Sequence, residues 1–332
     1  MSSHCAVHRA ARVLVSTVAA LIAVAALAGA AAAADTSDMQ LLKTYQPVLV
    51  FHPNEQLRPT KVQSFVADSE LERFVGSTAQ QVPLDAFWTV VDPDPEPGEL
   101  GSLAPGLYRL DQVGCHASAP LADAACYAAA WAEGSGGDAV YGRVVRTETQ
   151  IILQYWLFYY DNPLLLPPAG AFWQSHEGDW ELVNVVLDAA GEPQQAAYSQ
   201  HCSGQRIAWS NPRLEIRDGT HPVAYVALGS HANYFQPLGL VPITCLPPGV
   251  PALPFIVDHV LAGPTTSPSI HKIEGMPWSE FPGYWGESEY FFTPVPFPPF
   301  PAGALPVGHA PASPPLQANW NVQTILSWPL VP

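Results

Sequence analysis

The chain has 332 residues, 48% of them hydrophobic and 13% charged, with a formal charge of −16. That length supports one large core or two small ones, and so acidic a chain repels phosphate backbones, which argues against nucleic-acid binding. The 36 prolines are expelled from helix interiors and central strands, so the chain reads as loop-rich and mainly β.

Arg9 and Arg12 form a positive n-region, an uncharged Ala/Val/Leu run follows from Val13 to Ala34, and "AAAAD" closes it with small residues. This predicts a secretory signal peptide over residues 1–34. An uncleaved membrane anchor is the competing reading, because the run is long enough to span. Cleavage removes Arg9 and Arg12 and takes the formal charge from −16 to −18. Export also places Cys115, Cys126, Cys202 and Cys245 in an oxidising compartment. Of three pairings, Cys115–Cys126 with Cys202–Cys245 closes the shorter loops. None has CxxC spacing, which argues against a zinc ribbon.

Residues 35–45 read as a short helix with Ser37 or Asp38 as cap, and Val48 to Phe51 as a strand. "TKVQSFVADSELERFV" has apolar residues at helical spacing and predicts one helix over 60–75. "VVDPDPEPGELGSLAPG" is a Pro-rich connection. "TQIILQYWLFYYDN" is apolar on both faces and predicts a central strand. "WELVNVVLD", "QQAAYSQHC", "QRIAWS", "RLEIRDG" and "HPVAYVALG" follow as short strands, with Asp218-Gly219 as a hairpin turn. Short strands at this spacing predict a β-sandwich with short N-terminal helices over 35–292. Residues 293–332 are a Pro-rich C-terminal arm, with Phe297, Phe300, Trp320 and Trp328 available to dock it on the core.

"SHEGDWELVNVVLD", from Ser175 to Asp188, carries the chemistry. Alternate residues of a strand share a face, so Asp179 and Glu181 head a stripe that continues as Val183, Val185 and Leu187. Two carboxylates at the rim of a core raise each other's pKa unless something positive lies between them, and few Lys or Arg are available. A bound divalent cation is the simplest partner, and oxygen ligands favour Ca²⁺, Mg²⁺ or Mn²⁺ over Zn²⁺. Asp161 ends the preceding strand and reaches the same rim, and His176 lies at the turn as ligand or support. Glu177, Trp180, His201, Ser230 and His231 border the pocket. A zincin motif fails at Gly178 and Trp180. Ser230 beside His231 lacks a nucleophile elbow, and neither a P-loop nor GxGxxG occurs.

"YQPVLVFHPNEQLRPTKV", "HEGDWELVNVVL", "YSQHCSG" and "PVAYVALGSHANYF", in this order, resemble the family labelled vacuolar-protein-sorting-associated protein sixty-two, which implies no particular activity. "YWLFYYD" followed by "SHEGDWE" is similar to the strand and heptapeptide GHRHDWE of the necrosis-inducing proteins. That resemblance implies a secreted β-sandwich with a divalent cation in an acidic cavity, attached to sphingolipid headgroups of plant membranes. It places Asp161, His176, Asp179 and Glu181 at the cation. Ser175, Glu177 and Gly178 depart from the heptapeptide, which puts toxicity in doubt.

Three functions follow. The first is an exported binding protein that uses the cation to grip a glycan or lipid headgroup, with Trp and Tyr stacking at the rim and a membrane surface as a further partner. The second is a metal-dependent hydrolase, in which Glu177 or His201 faces the ion as base. The third is an envelope or interaction module with a structural ion. The first is the expected function.

Overall fold

The computed structural model describes residues 37–76, 87–116, 120–134, 137–166, 172–243, 256–293 and 303–332. The signal peptide, Cys245, Phe297 and Phe300 lie outside the described residues.

Helix α1 covers residues 37–44 and leads into β1 (Val48–Phe51). The single helix expected over 60–75 is two elements, α2 (Val62–Ala67) and β2 (Ser69–Phe74). The helical face holds through Val62, Phe65 and Val66, which are buried. Beyond Asp68 the burial alternates, with Ser69 and Leu71 inward, because β2 pairs on both sides with β3 (Trp88–Asp92) and β4 (Tyr108–Gln112). Strand pairing overrides helix propensity there. Helix α3 (Pro120–Gly134) was not expected, since its alanines present no clear apolar stripe.

The strands continue as β5 (Ala139–Arg146), β6 (Gln150–Leu166), β7 (Phe172–Asp188), β8 (Pro193–Gln200) and β9 (Ser203–Ala208). Next come β10 (Ile216–Arg217), β11 (His221–Val226), β12 (Asn233–Tyr234), β13 (Gly239–Pro242), β14 (Val257–Val260), β15 (Thr265–Thr266) and β16 (Ser269–Lys272). The last are β17 (Ser288–Thr293), β18 (Gly303–His309), helix α4 (Val322–Ser327) and β19 (Leu330–Val331).

Among the described residues the largest sheet runs β16-β5-β6-β7-β8-β9-β19, with β17 also on β7 and β18 on β17. A smaller sheet runs β10-β11-β1-β15, with β12 on β11. Strand β6 is central and its side chains are buried on both faces over Ile152–Tyr160, as the continuous apolar run predicts. Asp218 and Gly219 both have positive φ (49° and 82°) between β10 and β11, the conformation expected of that turn.

The two sheets face each other as a β-sandwich. Leu49 and Phe51 of β1 and Ala224 and Val226 of β11 share the main core with Tyr155, Leu157, Val183 and Tyr198 of the large sheet. The Tyr198 hydroxyl donates across the gap to the carbonyl of Val223 (3.0 Å). The outer face of the small sheet carries Val50, Val223 and Tyr225, covered by Val260 of the β13–β14 ribbon. The opposite face of the large sheet carries Trp156, Phe158, Tyr160 and Trp180, packed against Phe65, Trp278 and Trp285.

The described part of the C-terminal arm lies on this body. The Trp285 indole donates to Ser313 (2.9 Å), the Arg143 guanidinium sits 3.7 Å from the Trp320 ring centre, and β19 pairs in parallel with β9.

Candidate functional site: a buried carboxylate–imidazole chamber

Strand β7 begins at Phe172, so the acidic motif sits inside a strand and not at its mouth. Its register with β6 pairs Tyr159 with Asp179 and Asp161 with Glu177. Uniform alternation would put Glu177, Asp179 and Glu181 on one face. Gly178 breaks it by adopting φ +54°. Glu177 turns toward α3 and β4, where it accepts hydrogen bonds from the Tyr127 hydroxyl (2.7 Å) and the N–H of Gln112 and Glu287 (3.2 and 3.0 Å). A Cβ at position 178 would overlap the Trp285 carbonyl oxygen. The backbone therefore admits only glycine where the resembling heptapeptide has a second His.

Asp179 and Glu181 stay on the face toward the small sheet, and a chamber closes around them. His231 donates from Nδ1 to Asp179 (3.0 Å), and its Nε2 lies 3.7 Å from Glu55. The Tyr159 ring stacks on this imidazole at 3.8 Å and 2°. Glu181 accepts from the Ser199 hydroxyl and from Asn233 (3.4 Å). Beside them His201 donates to Asp258 (2.8 Å), which also accepts from Ser230 and Tyr234 (2.5 Å each).

Both imidazoles occupy unusual backbone. His201 and His231 have φ of 56° and 52°, and with Asp218 they are the positive-φ residues other than glycine among the described residues. His201 and Cys202 form the two-residue turn between β8 and β9, since Gln200 pairs with Ser203. Such turns favour Asn or Gly; here the geometry aims an imidazole at Asp258. Strained non-glycine conformations cluster at functional sites.

The charge balance of the chamber is incomplete. Burial alone depresses the pKa of His231, but the charge of Glu55 and the bond to Asp179 outweigh it and lift it to about 10. Burial likewise depresses His201, and Asp258 with Glu181 and Asp179 raises it to about 9. Burial pushes Glu55 and Asp258 up, but their imidazolium partners and local donors hold both below the usual carboxylate range. The positive groups inferred to be lacking are thus two imidazolium ions. They do not satisfy everything. Asp161 is 1% exposed, and neither of its carboxylate oxygens finds a hydrogen-bond partner. Burial raises its pKa far above normal; His231 and the Asn162 N–H offset this only in part, and Glu55 and Asp179 add to it. Glu181 is raised by burial and then by Asp179. The hydroxyl of Tyr159, Nε2 of His231 and Oδ1 of Asn233 also lack hydrogen bonds in this chamber.

This pattern leaves buried carboxylate oxygens short of donors. A buried carboxylate without a donor is costly, and hard cations take such oxygens. Asp161, Asp179 and Glu181 carry these oxygens, but among the described residues they do not form a group of three ligand atoms all within 4.8 Å of one another. His176 stands at the edge: its Nδ1 faces the carbonyl of Gly178 (2.7 Å), and its charge influences Glu289, as that of His201 does.

A second cluster lies on the opposite face. Asp111, His116 and Glu287 each offer a ligand atom, all within 4.8 Å of one another, with His116 Nδ1 3.2 Å from Glu287. Burial, then the charge of Glu287, raises Asp111 to about 8 despite Arg109. The Cys115–Cys126 disulfide (Cα–Cα 5.8 Å) staples this cluster, because His116 follows one cysteine and Tyr127, the donor to Glu177, follows the other. Cys202 is also disulfide-bonded.

Asp161, Asp179, Glu181, His201, Ser230 and His231 thus gather around one chamber. Glu177 joins the second cluster, and Trp180 packs among Tyr141, Phe158, Trp278 and Trp285, so neither borders the chamber as expected. Ser230 and His231 both reach it because they sit on a turn after β11, not on a strand. Glu55, Asn233 and Asp258 complete the chamber from outside the acidic motif. Asp258 left a signal: it is the only acid between Asp218 and Glu274.

No family model matches the chain, and no curated protein matches it. Among solved structures it is similar to "Toxin fold for microbial attack and plant defense" (13% identity over 73% of this chain and 77% of that one, TM-score 0.38). It is also similar to "NLPPya in complex with mannosamine" (14%, 73% and 77%, TM-score 0.35) and to "Crystal structure of non-toxic HaNLP3 protein" (13%, 72% and 77%, TM-score 0.35). The names of these structures are those of toxin-fold and NLP proteins.

Proposed function

We propose that this chain is an exported, cation-dependent binding protein for a glycan or a lipid headgroup. The carrying observation is Asp161, a buried carboxylate beside Asp179, Glu55 and His231 whose oxygens make no well-formed hydrogen bond, the Asn162 N–H offsetting its burial only in part. Asp161, Asp179 and Glu181 supply the oxygen ligands, and His176 supports them from the rim. A bound divalent cation supplies a positive centre to which hydroxyl or phosphate oxygens of a ligand attach. Binding is favoured over hydrolysis, because His201 and His231 are each engaged by a carboxylate, Asp258 and Asp179, and Glu177 is turned away to Tyr127, which leaves none of the three free to act as a base. Export is supported by the disulfides, and no helix among the described residues is long and apolar enough to cross a membrane. The Asp111–His116–Glu287 cluster favours a second cation position on the same molecule.

The test is calorimetric titration of the chelated protein with Ca²⁺, Mg²⁺, Mn²⁺ and Zn²⁺, repeated on Asp179→Asn and Asp111→Asn. Binding of a hard cation that Asp179→Asn weakens and Asp111→Asn leaves intact is the expected result. Undetectable binding of all four, or binding indifferent to Asp179→Asn, overturns the reading.

A further inference from the structure

Three segments far apart in sequence bring donor atoms together on the other side of the large sheet. Strand β4 supplies Asp111, the loop closed by the Cys115–Cys126 disulfide supplies His116, and the residue preceding β17 supplies Glu287. Among the described residues these form the one group of three ligand atoms that all lie within 4.8 Å of one another. The edge from His116 Nδ1 to Glu287 is 3.2 Å. Nitrogen and oxygen donors of a tetrahedral zinc ion lie at about 2.0–2.2 Å from it, and so about 3.4 Å from one another. The group is therefore close to the size a small ion needs, and the exposed His116 side chain is able to turn to close it.

The surrounding charges favour an ion in this position. The Arg109 guanidinium is shared between Glu72 (2.6 Å) and Asp111 (3.2 Å), with its side chain 3% exposed. Behind them Glu177 is completely buried, and its pKa is raised by burial, then by the charges of Asp111 and Glu287. The carboxylates of Glu72, Asp111, Glu177 and Glu287 thus act on one another around that guanidinium. His116 is 59% exposed, and an imidazole so open to water compensates buried carboxylates weakly.

The donor set selects the ion. Imidazole nitrogen suits zinc and its neighbours among the transition metals, whereas Ca²⁺ and Mg²⁺ take sets of oxygens. One nitrogen with two carboxylates therefore differs in preference from the all-carboxylate set of Asp161, Asp179 and Glu181. Three protein donors leave a fourth tetrahedral position for water, and the exposure of His116 puts that position toward solvent.

We propose that Asp111, His116 and Glu287 bind Zn²⁺ or a similarly borderline divalent ion, with one coordination position open to solvent. The site shares no ligand with the chamber and stands whether or not the chamber holds a cation.

Zn²⁺ is titrated calorimetrically into the metal-free full chain in millimolar Ca²⁺, which competes for the chamber, and Co²⁺ binding is followed in parallel by its visible absorption. His116→Ala, Glu287→Gln and Asp179→Asn are compared with the parent. His116 is exposed, so its truncation leaves the packing intact, which Tm in chelator checks. One Zn²⁺ per chain is expected. Its affinity should fall at least about tenfold in His116→Ala and Glu287→Gln, the least that loss of even a supporting residue costs, and stay unchanged in Asp179→Asn. The Co²⁺ absorption should be lost in His116→Ala. Absence of Zn²⁺ binding, or an affinity unchanged in His116→Ala, overturns the proposal. Weakening in Asp179→Asn without weakening in His116→Ala also overturns it and places the ion in the chamber.

Discussion

Replacing Asp161 with Asn tests the chamber most directly. The two side chains are nearly the same size, so packing is preserved, while a carboxyl that burial forces to take up a proton is replaced by a neutral amide. An unsatisfied buried polar group costs about 1–3 kcal/mol, and a charged one more. The amide takes up no proton on folding, so in chelator at pH 7 Asp161→Asn should be more stable than the parent, by about 1–3 kcal/mol. Cation has the opposite effect on the comparison. At a hundredfold excess over Kd, binding to the folded state stabilises the parent by about 2.7 kcal/mol. At 2–4 °C per kcal/mol for chains of 150–250 residues, with larger chains shifting less, this is a rise of about 5 °C in Tm. The variant should lose most of that rise. Differential scanning calorimetry of both proteins in chelator and in millimolar Ca²⁺ or Mg²⁺ reads both halves. A variant that is less stable in chelator and keeps the full cation-induced shift would show that Asp161 is satisfied by the protein and that the reasoning is wrong.

Gly178→Ala should destabilise by about 3 kcal/mol, because φ +54° disfavours a side chain and its Cβ meets the Trp285 carbonyl; an unchanged urea midpoint would refute this. His231→Gln removes the cation between Glu55 and Asp179 and should cost about 3–5 kcal/mol, as breaking a buried ion pair does; a smaller loss by urea denaturation would place the compensating charge elsewhere. The pH dependence has a definite sign. His201 and His231 are raised, so their stabilisation is complete below about 6.5 and lost as pH climbs through about 9 to 10. Asp161 and Glu181 are raised carboxyls, whose penalty grows as pH rises above about 4. Glu55 and Asp258 are lowered, and their contribution fades below that value. The chelated protein should have its highest Tm in mild acid and fall toward pH 9, with excess cation flattening the neutral part; a Tm rising steadily from pH 5 to 9 would contradict it.

Several features were legible in the residues alone. Proline content and short apolar runs gave a β-rich chain, the doubly apolar "IILQYWLFYY" gave the central strand, and Asp218-Gly219 gave its turn. Each depends on contacts or conformations within a few residues, so local pattern suffices. Asp161, Asp179 and Glu181 were identified as carboxylates needing a positive partner, because acids beside an apolar strand are costly wherever that strand packs.

Tertiary structure decided the rest. Whether "SELERF" becomes helix or strand is settled by β3 and β4, which arrive from elsewhere in the chain. Glu177 leaves the chamber because one left-handed glycine reverses its face, and that glycine is enforced by Trp285, more than a hundred residues away. The imidazolium ions of His201 and His231 reach the acids only through turns after β8 and β11, with Glu55 and Asp258 supplied by distant segments. Charge compensation in a buried chamber depends on distances of a few ångströms between residues far apart in sequence. Alternation along one strand carries no information about which residues from other strands will arrive opposite it.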